Sequence, residues 1–96
     1  PATETALMAA AGSPGQAAND EGVSQYKKGK MEAAIQGLQK AAKADPKSAE
    51  AQYNLGLSFD QMAKHEAAAS AFKQASALAP TNLIIKDSAI AKKHTS

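Results

Sequence analysis

The 96-residue chain contains no cysteine. Disulfides, thiol nucleophiles and cysteine metal sites are thereby excluded, and the redox compartment is left open. Aromatic residues are scarce: Tyr26, Tyr53, Phe59 and Phe72 are the whole set. β-Branched residues are few and scattered, which argues against a sheet. No apolar run approaches the roughly 20 residues that a bilayer-spanning helix needs. Charge of one sign is also lacking, because 11 basic residues face 9 acidic ones for a net charge of +2. A nucleic-acid binder shows a stronger and more clustered excess. Lys27, Lys28 and Lys30, and later Lys86, Lys92 and Lys93, are interspersed with Asp20, Glu21, Glu32, Asp60 and Glu66, and read as solvated faces.

The catalytic inventory is equally thin. His65 and His94 are the only histidines, and no pair has the spacing of a helical zinc site. No strand-to-helix nucleophile elbow or phosphate-cradling glycine loop is present. Ser58, Ser70 and Ser76 have no basic partner in sequence. Neither catalysis, a cofactor nor a metal is expected.

What the chain does have is alanine, supported by Lys, Gln, Glu and Leu, all strong helix formers. The length allows one domain with one modest core, and the class is all-α. An internal repeat organises it. A shift of 34 residues superposes Ala17 on Ala51, Gly22 on Gly56, Ser24 on Ser58, Lys30 on Lys64 and Glu32 on Glu66. The same shift pairs Ala33-Ala34 with Ala67-Ala68, Ala41 with Ala75 and Pro46 with Pro80. Val23 opposite Leu57 and Leu38 opposite Phe72 keep the hydrophobic class.

Each unit reads as two helices. In the second, helix A runs from about Ser48 to Met62 with Leu55, Phe59 and Met62 at helical spacing. Helix B runs from about His65 to Leu78 on a stripe of Ala68, Phe72, Ala75 and Leu78, and Pro80 stops it. In the first, Ile35, Leu38, Ala41 and Ala42 make the helix B stripe, and Pro46 closes it. A capping box of Ser13, Pro14 and Gln16 is expected to open its helix A. Gly29 is expected to take the left-handed conformation between the two helices. Gly56 lacks a Cβ where helix A passes closest to helix B, with Ala68 as the small partner and Phe72 filling the wedge. Gly22, Ala34 and Leu38 repeat that arrangement with a smaller plug.

These residues resemble the tetratricopeptide repeat (TPR) family. The second unit carries its signature as Leu55, Gly56, Phe59, Ala68, Phe72, Ala75 and Pro80. The first matches at Gly22, Ala34, Leu38, Ala41 and Pro46, with Glu21 and Gln25 replacing the Leu and the aromatic. The resemblance implies an α-α superhelix of two helix pairs, residues 13–46 and 47–80. Residues 81–96 would form a capping helix and tail, opened by Thr81 as N-cap and carrying Leu83, Ile84, Ala89 and Ile90. Residues 1–12 would be a tail, or a short helix capped by Thr3 that docks on another copy or a larger complex.

Family geometry places Asn19, Val23, Tyr26 and Lys27 on the inner face, joined by Glu50, Tyr53, Asn54, Leu57 and Asp60. Tyr53 and Leu57 either line a groove or pack against flanking helices. The carboxylate grip of chaperone-binding members is not expected, since Asn19 and Val23 stand where Lys and Asn are needed and only Asn54 matches. The shortness of the array points to a scaffold that assembles with itself or into a larger complex; the alternative is an adaptor whose groove takes a client segment. The start at Pro1 fits a removed initiator, a removed leader or a sequence that simply begins there; the compartment stays open, with the Ala/Thr/Ser-rich opening leaning toward an extracytoplasmic, soluble protein.

Overall fold

Asp45 and Ala79, each just before a proline, leave the helical region at φ −137° and −138°. Clash with the proline ring disfavours helix at such a position, so both B helices stop one residue earlier. In the computed structural model, which describes residues 5–95, this punctuation divides the chain into helices and no strand is found among the described residues. The helices are α1 (Gln16–Lys27), α2 (Met31–Ala44), α3 (Ala49–Gln61), α4 (His65–Leu78), α5 (Leu83–Lys86) and α6 (Ala89–Thr95). Helices α1 and α2 pack as one antiparallel pair and α3 and α4 as the next, with α2 against α3 between them. Helix α6 lies on α4 and α3, covering the last pair as a third A helix would.

The turns inside the two pairs are the same motif. The Lys30 N–H reaches the Gln25 carbonyl at 2.9 Å and the Gly29 N–H reaches Tyr26 at 3.0 Å. In the second pair Lys64 reaches Phe59 at 2.9 Å and Ala63 reaches Asp60 at 3.0 Å. Both are Schellman closures, which need a left-handed residue just past the helix. Gly29 supplies it at φ 79°, as its sequence position predicts, and Ala63 supplies it at φ 57°.

The cap of α3 is Ser48, whose Oγ accepts from the Ala51 N–H at 3.1 Å. Asn82, one repeat later, caps α5 by accepting from Ile84 at 3.0 Å and Ile85 at 3.2 Å. The expected cap at Thr81 is therefore displaced by one residue, to the position in register with Ser48. The expected single closing helix is also divided: Ser88 Oγ accepts from the Ala91 N–H at 3.0 Å and starts α6 afresh. A serine that caps a new helix offers the backbone an alternative to continuing the old one. The division changes the buried face, which is Ile85 and Ala91, while Leu83 and Ile84 are exposed.

The capping box expected at Ser13 does not form either. Gly15 precedes α1, and Ser13 Oγ donates to the Ala10 carbonyl at 2.7 Å instead of accepting. Gln16 does reach back, but to the Gly12 N–H at 2.8 Å. Together these contacts staple a tight turn that redirects the chain from residues 5–10 into α1. Gly15 is confined there because a Cβ would lie 2.7 Å from the Ala41 carbonyl oxygen.

The core is an alanine-lined seam with a few large plugs. Leu38 and Phe72, 34 residues apart, are fully buried. A Cβ on Gly22 would lie 2.7 Å from Leu38 Cγ and 3.1 Å from the Ala34 carbonyl oxygen. A Cβ on Gly56 would lie 2.5 Å from the Phe72 ring. The glycine of helix A thus admits the plug of helix B in both pairs. In the second pair the closest atoms belong to Phe72 rather than to Ala68, because the phenyl ring reaches across the crossing. The same ring meets Tyr53 edge-on at a centroid distance of 5.9 Å and stacks on His94 at 5.9 Å.

Candidate functional site

The positions expected on the inner face lie on the A helices α1 and α3, and their polar residues are nearly all spoken for. Asn19 and Asn54 are each 1% exposed. Burying a carboxamide is costly unless its donors and acceptors are matched. What matches them is the main chain of residues 5–9, which runs extended across α1 and α3, neither the free tail nor the short helix that were the two expectations for this stretch. Thr3, the expected cap of that helix, lies outside the described residues.

The central residue of this segment is Leu7. Its N–H donates to Asn54 Oδ1 at 2.7 Å. Its carbonyl accepts from Asn54 Nδ2 at 2.7 Å and from Asn19 Nδ2 at 3.0 Å. One carboxamide therefore pairs with both polar groups of one residue, as a neighbouring strand would. The remaining Asn54 hydrogen goes to Asn19 Oδ1 at 3.0 Å, which fixes the orientation of both carboxamides. Two residues on, the Ala9 N–H donates to Asp20 Oδ1 at 3.2 Å. The period of two is that of extended chain, whose alternate residues face opposite ways. Among the described residues no buried side-chain nitrogen or oxygen lacks a partner.

Ala6 is 5% exposed and belongs to the same core cluster as Val23, Tyr26 and Tyr53. A small side chain is needed at this point, because the segment lies directly on the helices. Leu7 and Thr5, on the other side of the extended chain, line a hollow of about 460 Å³ with Tyr53, Leu83, Ile84, Asp87 and Ser88.

The inner-face residues expected from sequence are thus distributed among different tasks. Asn19 and Asn54 grip the segment. Val23, Tyr26, Tyr53 and Leu57 are buried, so Tyr53 and Leu57 pack against their neighbours instead of standing exposed. Lys27 is exposed at the end of α1, beside a second hollow that Thr5, Ala6 and Tyr26 share. Glu50 sits in the first turn of α3, where its carboxylate accepts from the Ser48 hydroxyl at 3.5 Å. Asp60 is taken by α6: Lys93 Nζ lies at 2.9 Å and His94 Nε2 at 2.7 Å from its Oδ1. Burial raises the Asp60 carboxyl pKa, but the hydrogen bonds and charges of Lys93 and His94 outweigh it, and the net shift is downward. His94 turns its other ring nitrogen to His65 Nδ1 at 2.7 Å. No group of three or more His, Asp or Glu side chains among the described residues is placed to hold a metal ion.

Sequence reasoning did not find Asp20 or the segment 5–9 as parts of this site. The segment's Thr-Ala-Leu-Met-Ala reads equally as a short helix, and nothing local signals that its hydrogen-bond partners lie 12 and 47 residues away.

No helix among the described residues is long and apolar enough to cross a membrane. Comparison with curated proteins returns no match. Family profiles do match: one described as TPR repeat covers residues 22–63, and one described as tetratricopeptide repeat covers residues 49–82. The paired helices, the glycine that admits each plug and the two profiles spanning residues 22–82 agree, and the chain belongs to the tetratricopeptide repeat family.

Proposed function

We propose that this chain is a protein-binding module whose inner groove takes an extended stretch of polypeptide by its main chain. TPR repeats in general mediate protein–protein interaction and are as a rule non-enzymatic. The observation that carries the reading is the two-sided grip of Asn54 on Leu7, seconded by Asn19. A groove that holds one residue through its own N–H and C=O is indifferent to the side chain of that residue. It selects for extended backbone, as other strand-like peptide sites do. The adaptor reading is favoured over the end-to-end scaffold for this reason. Leu7 and Ile90, apolar residues near the two ends of the array, are packed against the chain's own core.

A peptide copying residues 3–11, titrated into the protein at millimolar concentration, is expected to perturb the side-chain amide NMR signals of Asn54 and Asn19. The same peptide N-methylated at its leucine lacks the donated hydrogen and should leave those signals unmoved. Equal binding of the two peptides would remove the backbone grip from the proposal.

Self-association keeps one specific support. Leu83 and Ile84 stand 67% and 55% exposed on α5, an apolar edge that a second copy could cover. Sedimentation at high concentration tests it, and a monomer throughout would count against it.

A further inference from the structure

We infer that residues 5–9 are an intramolecular ligand that gates this groove, and that the partner displacing them is an extended segment with a large apolar residue and then a small one just before the gripped residue. This inference rests on the groove reading above. Three observations carry it. First, the segment saturates the grip: both Asn54 groups, both Asn19 amide hydrogens and Asp20 are engaged by it or by one another. No second main chain can be held at Asn54 while Leu7 remains there. Second, the segment is joined to α1 by the short stapled turn at residues 10–15. A tether of that length keeps it at an effective concentration in the millimolar range or above, so any partner in trans meets a strong competitor.

Third, the segment fits the groove incompletely, and the misfit describes the partner. Ala6 faces the core and is buried, so a small residue is required at that position. Position 7 must supply an N–H, and position 9 a second one to Asp20, which excludes proline from both. At position 5, however, a threonine borders the 460 Å³ hollow whose walls include the exposed Leu83 and Ile84. A leucine or isoleucine there would bury apolar surface that Thr5 leaves uncovered. Burial of one such side chain corresponds to about a tenfold gain in affinity. That gain lets a partner compete with the tethered segment.

The test uses the full chain and a fluorescent peptide with the sequence of residues 3–11 carrying leucine at its position 5. Its affinity is measured for the wild type and for Leu7→Pro, which removes the N–H gripped by Asn54 and leaves the groove residues unchanged. A segment in place at least nine times in ten weakens apparent binding at least tenfold. The variant is therefore expected to bind the peptide at least tenfold more tightly. In parallel, hydrogen exchange on the wild type needs no variant: saturating peptide is expected to speed exchange at the Leu7 and Ala9 amides by at least tenfold. Equal affinity for both proteins, or peptide binding with the Leu7 amide still protected, overturns the gating while leaving the groove reading in place. Absence of binding to either protein at millimolar peptide overturns the groove reading itself.

Discussion

Gly29 and Ala63, 34 residues apart, close their helices with the same left-handed turn, at φ 79° and φ 57°. The second repeat thus carries an L-residue where its twin has glycine. The left-handed region costs a residue with a Cβ about 1–2 kcal/mol. Ala63→Gly is expected to stabilise the protein by about 0.5–1 kcal/mol, once the extra freedom that glycine gives the unfolded chain is subtracted. Gly29→Ala should destabilise it by a similar amount. Urea denaturation followed by circular dichroism measures both, and a midpoint lowered by Ala63→Gly would contradict the turn assignment.

The glycines under the plugs predict a graded response. Adding a Cβ at Gly56 places it 2.5 Å from the Phe72 ring, which is itself held by Tyr53 and His94. A ring so enclosed cannot shift freely, and Gly56→Ala should cost about 1–3 kcal/mol through overpacking. Combining it with Phe72→Leu, the residue type of the first repeat, should recover part of that loss. Strict additivity of the two substitutions in a double-mutant cycle would show that the sites do not touch.

Removing the grip should free the segment without unfolding the helices. Asn54→Ala leaves the Leu7 N–H unpartnered and removes one of two donors to its carbonyl. Loss of a buried hydrogen-bonding partner costs about 1–3 kcal/mol. The expected outcome is faster hydrogen exchange at Leu7 and Ala9 with helix content retained. Unchanged protection at both amides would mean that packing of Ala6, rather than the carboxamide, retains the segment.

The contact between α6 and Asp60 predicts an acid response. The Asp60 carboxyl pKa is lowered in the folded chain because Lys93 and His94 outweigh the opposing effect of burial. A depressed carboxyl pKa contributes stability above the unfolded value of 3.8 and loses it as pH falls through the lower folded value. Thermal stability should therefore decline below about pH 4, and Asp60→Asn should flatten that part of the profile. Lys93 is largely exposed, so Lys93→Ala should have the smaller effect of a screened surface pair. A Lys93→Ala variant as acid-resistant as Asp60→Asn would show that Lys93 carries most of the depression despite its exposure.

The repeat spacing, the class of helix and the positions of α2, α3 and α4 were legible because they depend on neighbours a few residues apart. Pro46 and Pro80 restrict the residue before them, and Gly29 admits a left-handed turn that most residues resist. These are local steric facts, and they place the ends of the B helices and of α1 to within a residue. The closing region was less legible. Leu83, Ile84 and Ile85 are adjacent and equally apolar, so residue type does not rank them for burial. The break at Ser88 sets how α5 meets the last pair, and of the three only Ile85 is covered.

From the order of residues alone come the helices, their 34-residue rhythm and the glycine left open for each plug, since sterics and side-chain volume act over short stretches of chain. Tertiary structure alone decided what fills the inner face. Asn19, Asn54 and Leu7 are far apart in sequence, and only their burial together turns three ordinary polar and apolar residues into a donor–acceptor set that must be matched. In a helix as short as residues 5–9, nearly all N–H and C=O groups would be left to water. The segment lies extended because Asn19 and Asn54, once desolvated by the helix pairs, need those same backbone groups.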